Sequence, residues 1–180
     1  MKISRTQVEK IRIEDLESRS LDPIEVIIEN MELGRGKIVI TCYGQSWTGF
    51  WGSMGSTMEE FFARCNNDYL IGKMSDLRHT VPDVDSDTDF IRKLVIEHRR
   101  RGLISKQEAA EAWWHIDSYN TDRNSLCYGT VPDCLDVIEG MCEPWHFDWP
   151  TKVSQEYEYL SRIIDVVREV ISPKGESNES

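Results

Sequence analysis

The chain reads as an α+β fold, an antiparallel sheet of about four strands packed by about four helices. Two observations predict it. Residues 8–52 alternate polar and apolar with turn signals between the runs, the period of half-buried strands. After residue 56 the apolar residues recur at helical spacing behind capping residues.

Lys10-Ile-Arg-Ile-Glu14 opens the pattern, and Asp22-Pro23 breaks it. Ile24, Val26 and Ile28 alternate with Glu25 and Glu29 as a second strand. Gly34-Arg-Gly36 signals a turn into a third, with Ile38, Ile40 and Cys42 on one face. Gly44-Gln45 allows another tight turn. The fourth strand, Ser46 to Trp51, sets Trp47, Gly49 and Trp51 on one face and Thr48 and Phe50 on the other. The stretch 41–55 holds four aromatics and four glycines. Glycine weakens a strand unless the backbone bends or approaches something closely, so this stretch is either the inner face of a curved sheet or a contact surface.

Thr57-Met-Glu-Glu60 has the form of a capping box and opens a short helix through Met58, Phe61, Phe62 and Cys65, ended by Asn66-Asn67. Residues 75–88 read as a loop. An amphipathic helix at 88–101 carries Phe90, Ile91, Leu94, Val95 and His98 on one face and closes on Arg99-Arg-Arg101 and Gly102. Ser105-Lys-Gln-Glu108 caps a helix through Ala109, Ala112, Trp113 and Ile116. Residues 120–152 read as irregular, with a helical turn over 134–139. Ser154 caps a last helix whose stripe is Tyr157, Leu160, Ile163, Ile164, Val167, Val170 and Ile171. Residues 1–172 are expected to form one domain, and 173–180 a disordered tail.

The 180 residues carry 21 basic and 32 acidic side chains, a net charge of −11. The excess is uneven: residues 121–180 hold 5 basic and 12 acidic side chains. Direct nucleic-acid binding is disfavoured, because it relies on Lys and Arg neutralising phosphates. An acidic field aids solubility and attracts basic protein surfaces. The five cysteines are odd in number and widely spaced, and the N-terminus lacks an apolar leader. No run approaches the roughly 18 apolar residues of a membrane span. A cytoplasmic location with reduced thiols is therefore expected, without membrane association.

Four groups are candidates for chemistry. Asp83, Asp85 and Asp87 alternate into Asp89 and supply the oxygen ligands that Ca²⁺ or Mg²⁺ takes. An EF-hand loop needs Gly at its sixth position and Glu at its twelfth, where this chain has Thr88 and Leu94, or Phe90 and Ile96. A solvated loop leading into a helix N-terminus is the competing reading. Cys127, Cys134, Cys142 and His146 are zinc-compatible, but their spacing contains no Cys-x-x-Cys pair. Cysteines packed as small hydrophobes are the alternative. Arg99-Arg100-Arg101 offers an anion grip or simple compensation of the helix dipole.

The fourth group is Trp113-Trp114-His115 and Trp145-His146-Phe147-Asp148-Trp149. Adjacent helical residues point about 100° apart, so Trp113 and Trp114 do not share one core face. Core packing competes with an interface role, where Trp is enriched. The expected partner-binding set is Trp114, Trp145 and Trp149 with Asp133, Asp136, Glu139, Glu143 and Asp148. No nucleophile elbow, P-loop or dinucleotide motif appears, so no catalytic residue and no cofactor are assigned.

Tyr43-Gly-Gln-Ser-Trp-Thr-Gly-Phe-Trp-Gly-Ser-Met-Gly55, followed by Phe61-Phe62 and Cys65-Asn-Asn-Asp-Tyr-Leu70, resembles uncharacterised accessory proteins of tailed phages and prophages of Gram-negative bacteria. The resemblance spans residues 5–75 and carries no catalytic or binding residue with it. It implies a non-enzymatic inhibitor of a host protein with a basic surface, of the anti-CRISPR or anti-restriction kind. Two rival expectations stand beside it. One is a small metal-dependent hydrolytic enzyme using the aspartate run or the Cys/His group. The other is a homo-oligomeric structural or regulatory protein, in the simplest case a homodimer.

Overall fold

A computed structural model describes residues 3, 5–119 and 121–173. The chain divides into two compact units, with boundaries at His79/Thr80 and Val153/Ser154. The first unit is thus built from both ends of the chain, and the second, Thr80–Val153, is inserted between them. The expected tail at 173–180 lies outside the described residues apart from Pro173.

The first unit holds a four-stranded antiparallel meander: β1 (Glu9–Ile13), β2 (Ile24–Glu32), β3 (Arg35–Cys42) and β4 (Gln45–Trp51), in that order. The α+β class and the four expected strands are as the alternation implied. Register explains the pattern. Ile24, Val26 and Ile28 pair with Cys42, Ile40 and Ile38, and Ile40 and Ile38 pair onward with Trp47 and Gly49. All the apolar members of this set are buried on one face. The other face is solvated and carries ion pairs such as Lys10–Glu25 at 3.0 Å.

Gly49 answers the question raised by glycine among aromatics. A β-carbon there would lie 2.3 Å from the Trp51 ring. The glycine lets that indole lie flat on the strand and donate from Nε1 to the Tyr69 hydroxyl at 3.0 Å.

Three helices cover the buried face: α1 (Met58–Arg64), α2 (Asn67–Met74) and α7 (Gln155–Ile171). The Thr57 hydroxyl accepts from Glu60 N, as the capping signal implied. The carboxylate that engages a partner here is Glu59, through Asn30 Nδ2 at 3.0 Å. Asn30 Oδ1 also accepts from Met58 N, so the end of β2 caps α1 from across the fold. Asn66 starts a helix where a helix end was expected. Its side chain accepts from Tyr69 N at 2.8 Å, because Asn is as good an N-cap as a terminator. On α7, Val166 is buried and Val170 exposed, a correction to the expected stripe.

The second unit has its own core, centred on Ile91, Val95, Ile104, Ala112, Ile116, Leu126, Leu135, Ile138 and Met141. Its elements are β5 (Thr80–Pro82), α3 (Asp87–Arg100), α4 (Lys106–Tyr119), α5 (Arg123–Tyr128), α6 (Asp133–Asp136) and β6 (Thr151–Val153). Strands β5 and β6 pair antiparallel. Both lie in stretches expected to be irregular, as does α5, which a reciprocal Asp122/Ser125 capping box opens. Three-residue strands are too short to show a period. The α3 and α4 expectations match. Gly102, at φ 74°, closes α3, and Leu103 N donates to His98 O as a Schellman cap.

Two outcomes follow. Gly49→Ala forces the Trp51 ring aside and is expected to destabilise the fold by about 1–3 kcal/mol in urea denaturation. Tyr157, hydrogen-bonded to Asp68, has its phenol pushed up to about 12 by burial and by that carboxylate, from an ordinary value of 10.0. A pKa raised on folding stabilises fully below the unfolded value, and that stabilisation is lost as pH rises through the folded one. Stability is therefore expected to fall between pH 10 and pH 12, and Tyr157→Phe to flatten that fall.

Candidate interaction surface

The second unit is organised by a buried ion pair. Asp87, wholly buried, opens α3. Arg123, at the start of α5, meets it in a bidentate fork: Nη2 to Oδ1 at 2.6 Å and Nε to Oδ2 at 2.8 Å. The Arg123 amide also donates to Asp87 Oδ2 at 3.2 Å, and Nη2 reaches Pro150 O at 2.6 Å. The fork raises the guanidinium's already high pKa. Its plane lies 5.4 Å over Trp149.

Each of the three candidate carboxylates of the aspartate run is engaged by a protein partner. Asp87 is held by Arg123. Asp83 accepts from the Ser86 hydroxyl and from Lys152, which hold its carboxyl below the usual range. Asp85 is exposed and pairs with Lys152 at 2.9 Å. Nor do Cys127, Cys134, Cys142 and His146 converge. Burial pushes the thiols of Cys127 and Cys134 up, Cys142 is exposed, and His146 faces Glu143 at 3.2 Å. Among the described residues no three His, Cys, Asp or Glu side chains are grouped as a metal ion requires.

The six tryptophans divide cleanly. Trp47 and Trp51 are buried in the first unit. Trp149 is half-buried against Phe90 and Phe147, and its Nε1 donates to Pro144 O at 2.7 Å. Both its ring and its polar atom are engaged within the unit. Trp114 is 63% exposed, Trp145 57% and Trp113 37%. The 100° argument thus holds, with neither indole of the α4 pair sealed inside.

Helix α4 is set by the Ser105/Glu108 box. Ser105 N donates to Glu108 at 2.6 Å and Glu108 N to Ser105 Oγ at 3.2 Å, which lowers the Glu108 pKa. Ala112 and Ile116 point into the core. Gln107, Ala110, Glu111 and Trp114 then share another helical face, at i, i+3, i+4 and i+7. With His115 and Cys134 they line an almost wholly apolar groove of about 430 Å³. An adjoining groove of about 390 Å³ is lined by Glu108, Glu111, Asp133, Cys134 and Val137. The small Ala110 makes room beside the indole, and Tyr119 packs edge-on to Trp114 at 6.1 Å.

On its α3 side, α4 lines a third groove, of about 400 Å³, with Trp113, Ile96, Arg99 and Arg100. Arg92 lies 5.6 Å over Trp113. The two indoles therefore face opposite charge: arginines beside Trp113, the Glu111 carboxylate beside Trp114.

Of the expected acids, Asp133 lines the groove that adjoins the Trp114 groove. Asp136 is exposed on α6 and Asp148 is exposed near Trp149. Glu139 is exposed, and its amide donates to His98 Nε2 at 3.2 Å. Glu143 and Trp145 belong to the 3₁₀ turn Pro144–His146 and its entry, and line none of these grooves. Sequence reasoning missed Glu108 at the adjoining groove, Glu111, which lines both, and Cys134. The α4 register contained the signal for the first two; Cys134 comes from a segment whose position the sequence does not encode locally.

Removing the ion pair tests this scaffold. Asp87→Asn leaves Arg123 without its counter-ion and is expected to cost about 3–5 kcal/mol. Hydrogen exchange should show the loss within residues 80–153.

A family model described as a phage family, Phage_phiTE_072, matches residues 1–173. The likeness first seen over 5–75 therefore extends across nearly the whole chain. No curated protein and no solved structure matches. No helix among the described residues is long and apolar enough to cross a membrane. With a match of this extent, the chain belongs to that phage family.

Proposed function

We propose that this phage-family protein acts by binding, without chemistry of its own, and occupies a host protein through the apolar groove beside Trp114 and the acidic groove that adjoins it. The observation that supports this most is an indole left 63% exposed on α4, lining an apolar groove with Glu111, beside an adjoining groove lined by Glu108, Glu111 and Asp133. Trp is enriched among the few residues that dominate interface energetics once buried. The partner's matching surface carries an apolar anchor flanked by Lys or Arg. In this reading the protein works in the host cytoplasm, and a host-defence complex of the kind inhibited by anti-CRISPR or anti-restriction proteins is the target. The chain's net −11 supplies long-range attraction, which speeds encounter and weakens with salt.

Affinity co-purification of the full chain from host lysate tests the reading. A host protein should be retained in defined stoichiometry and released as salt rises. Trp114→Ala should weaken retention about thirtyfold, the scale of a hot-spot residue. Retention unaffected by Trp114→Ala, or recovery of a second copy of this chain alone, contradicts the proposal; the latter favours the homo-oligomeric reading.

A further inference from the structure

The first unit contains a cleft of about 730 Å³, within the range of roughly 300–1,000 Å³ typical of ligand sites. Its lining includes the aromatic residues Tyr43, Trp47 and Tyr159 and the acidic residues Asp76, Glu156 and Glu158. Arg162 is the one cation in that lining. None of the three carboxylates takes part in an ion pair among the described residues.

Two features give the cleft a preference. Tyr43 and Gly44 form the β3–β4 turn with φ of 46° and 76°, so Tyr43 holds a left-handed conformation that suits Asn or Gly far better. Its ring is nonetheless 82% exposed, so burial does not offset the strain. Secondly, a ring of the lining already carries a guanidinium: that of Arg162 lies 5.7 Å over the Tyr159 ring and donates to Arg19 O, outside the lining, at 3.3 Å. Tyr159 is braced from behind by Cys42 Sγ at 3.3 Å. One ring face is thus taken by an internal cation. A second, strained and exposed ring is open, and three carboxylates lack counter-ions.

We propose that this cleft is a binding site for a guanidinium or ammonium group, which the Tyr43 ring and the Asp76, Glu156 and Glu158 carboxylates together receive. The pairing of aromatic faces with carboxylates is the chemistry that recognises organic cations. The site lies wholly within the first unit and does not depend on the Trp114 groove.

Calorimetric titration of the full chain with arginine amide, with amide NMR shifts read over residues 42–47 and 155–162, tests it. Saturable binding with shifts at those positions is expected, and citrulline amide, which lacks the charge, should not bind. The double change Asp76→Asn and Glu158→Gln should weaken binding about tenfold. Tyr43→Asn should weaken it about threefold while melting no lower than the parent, since Asn suits the turn. A short arginine-containing peptide binding more tightly than arginine amide identifies a protein side chain as the natural source of the cation; equal affinity identifies a free small molecule. No saturation, shifts spread over the acidic surface instead, or affinity unchanged in these variants overturns the proposal.

Discussion

The second unit rests on one carboxylate that no water reaches. Burying Asp87 carries a desolvation penalty of several kcal/mol, and only a partner with matched geometry offsets it. Arg123 supplies that partner, with two fork contacts and a backbone amide on the same carboxylate, and spends its remaining reach on Pro150 O. The pair ties the start of α3 to the start of α5 and to the residue that enters β6. Helices α3 and α4 pack on the core so anchored, and the outer faces of α4 stay uncovered. The acid that resembled a cation ligand in the one-dimensional string is the structural centre of the unit.

How much of this was legible in the sequence depended on distance along the chain. The meander was readable because each of its strands alternates over five to nine residues and pairs with its sequence neighbour. Helices α3, α4 and α7 were readable because each runs 14 to 17 residues with a stripe and caps. Pairing of β5 with β6 was not, because the two strands are three residues each and lie far apart in the chain. The same holds for the Asp87–Arg123 pair, separated by 36 positions. Asn66 was misread for another reason: asparagine ends helices and begins them with equal ease, and the local residues do not decide between the two.

The candidate surface shows the same division. That the two α4 indoles could not share a core face followed from helix geometry alone. That Trp149 is packed against Phe90 and Phe147 did not, because its neighbours come from α3 and from a turn. The acidic reading of the last third is also refined by position. Glu108 and Glu111 outrank most of the later acids because they stand on the same helix as the exposed indole, whereas Trp113 is flanked by arginines. Charge along the chain is a poor guide to charge around a side chain. A field of one sign steers encounter, but a desolvated ring decides residence time, and the two need not come from the same segment.

The central claim is that the Trp114 ring is the working contact of the molecule. Hydroxyl-radical footprinting of the full chain, free and in host extract, measures that most directly. The account requires Trp114 to be oxidised readily in the free protein and shielded in the extract, while Trp47 and Trp51 stay unreactive in both. A Trp114 ring that is silent in the free protein, or equally reactive with and without extract, would contradict it.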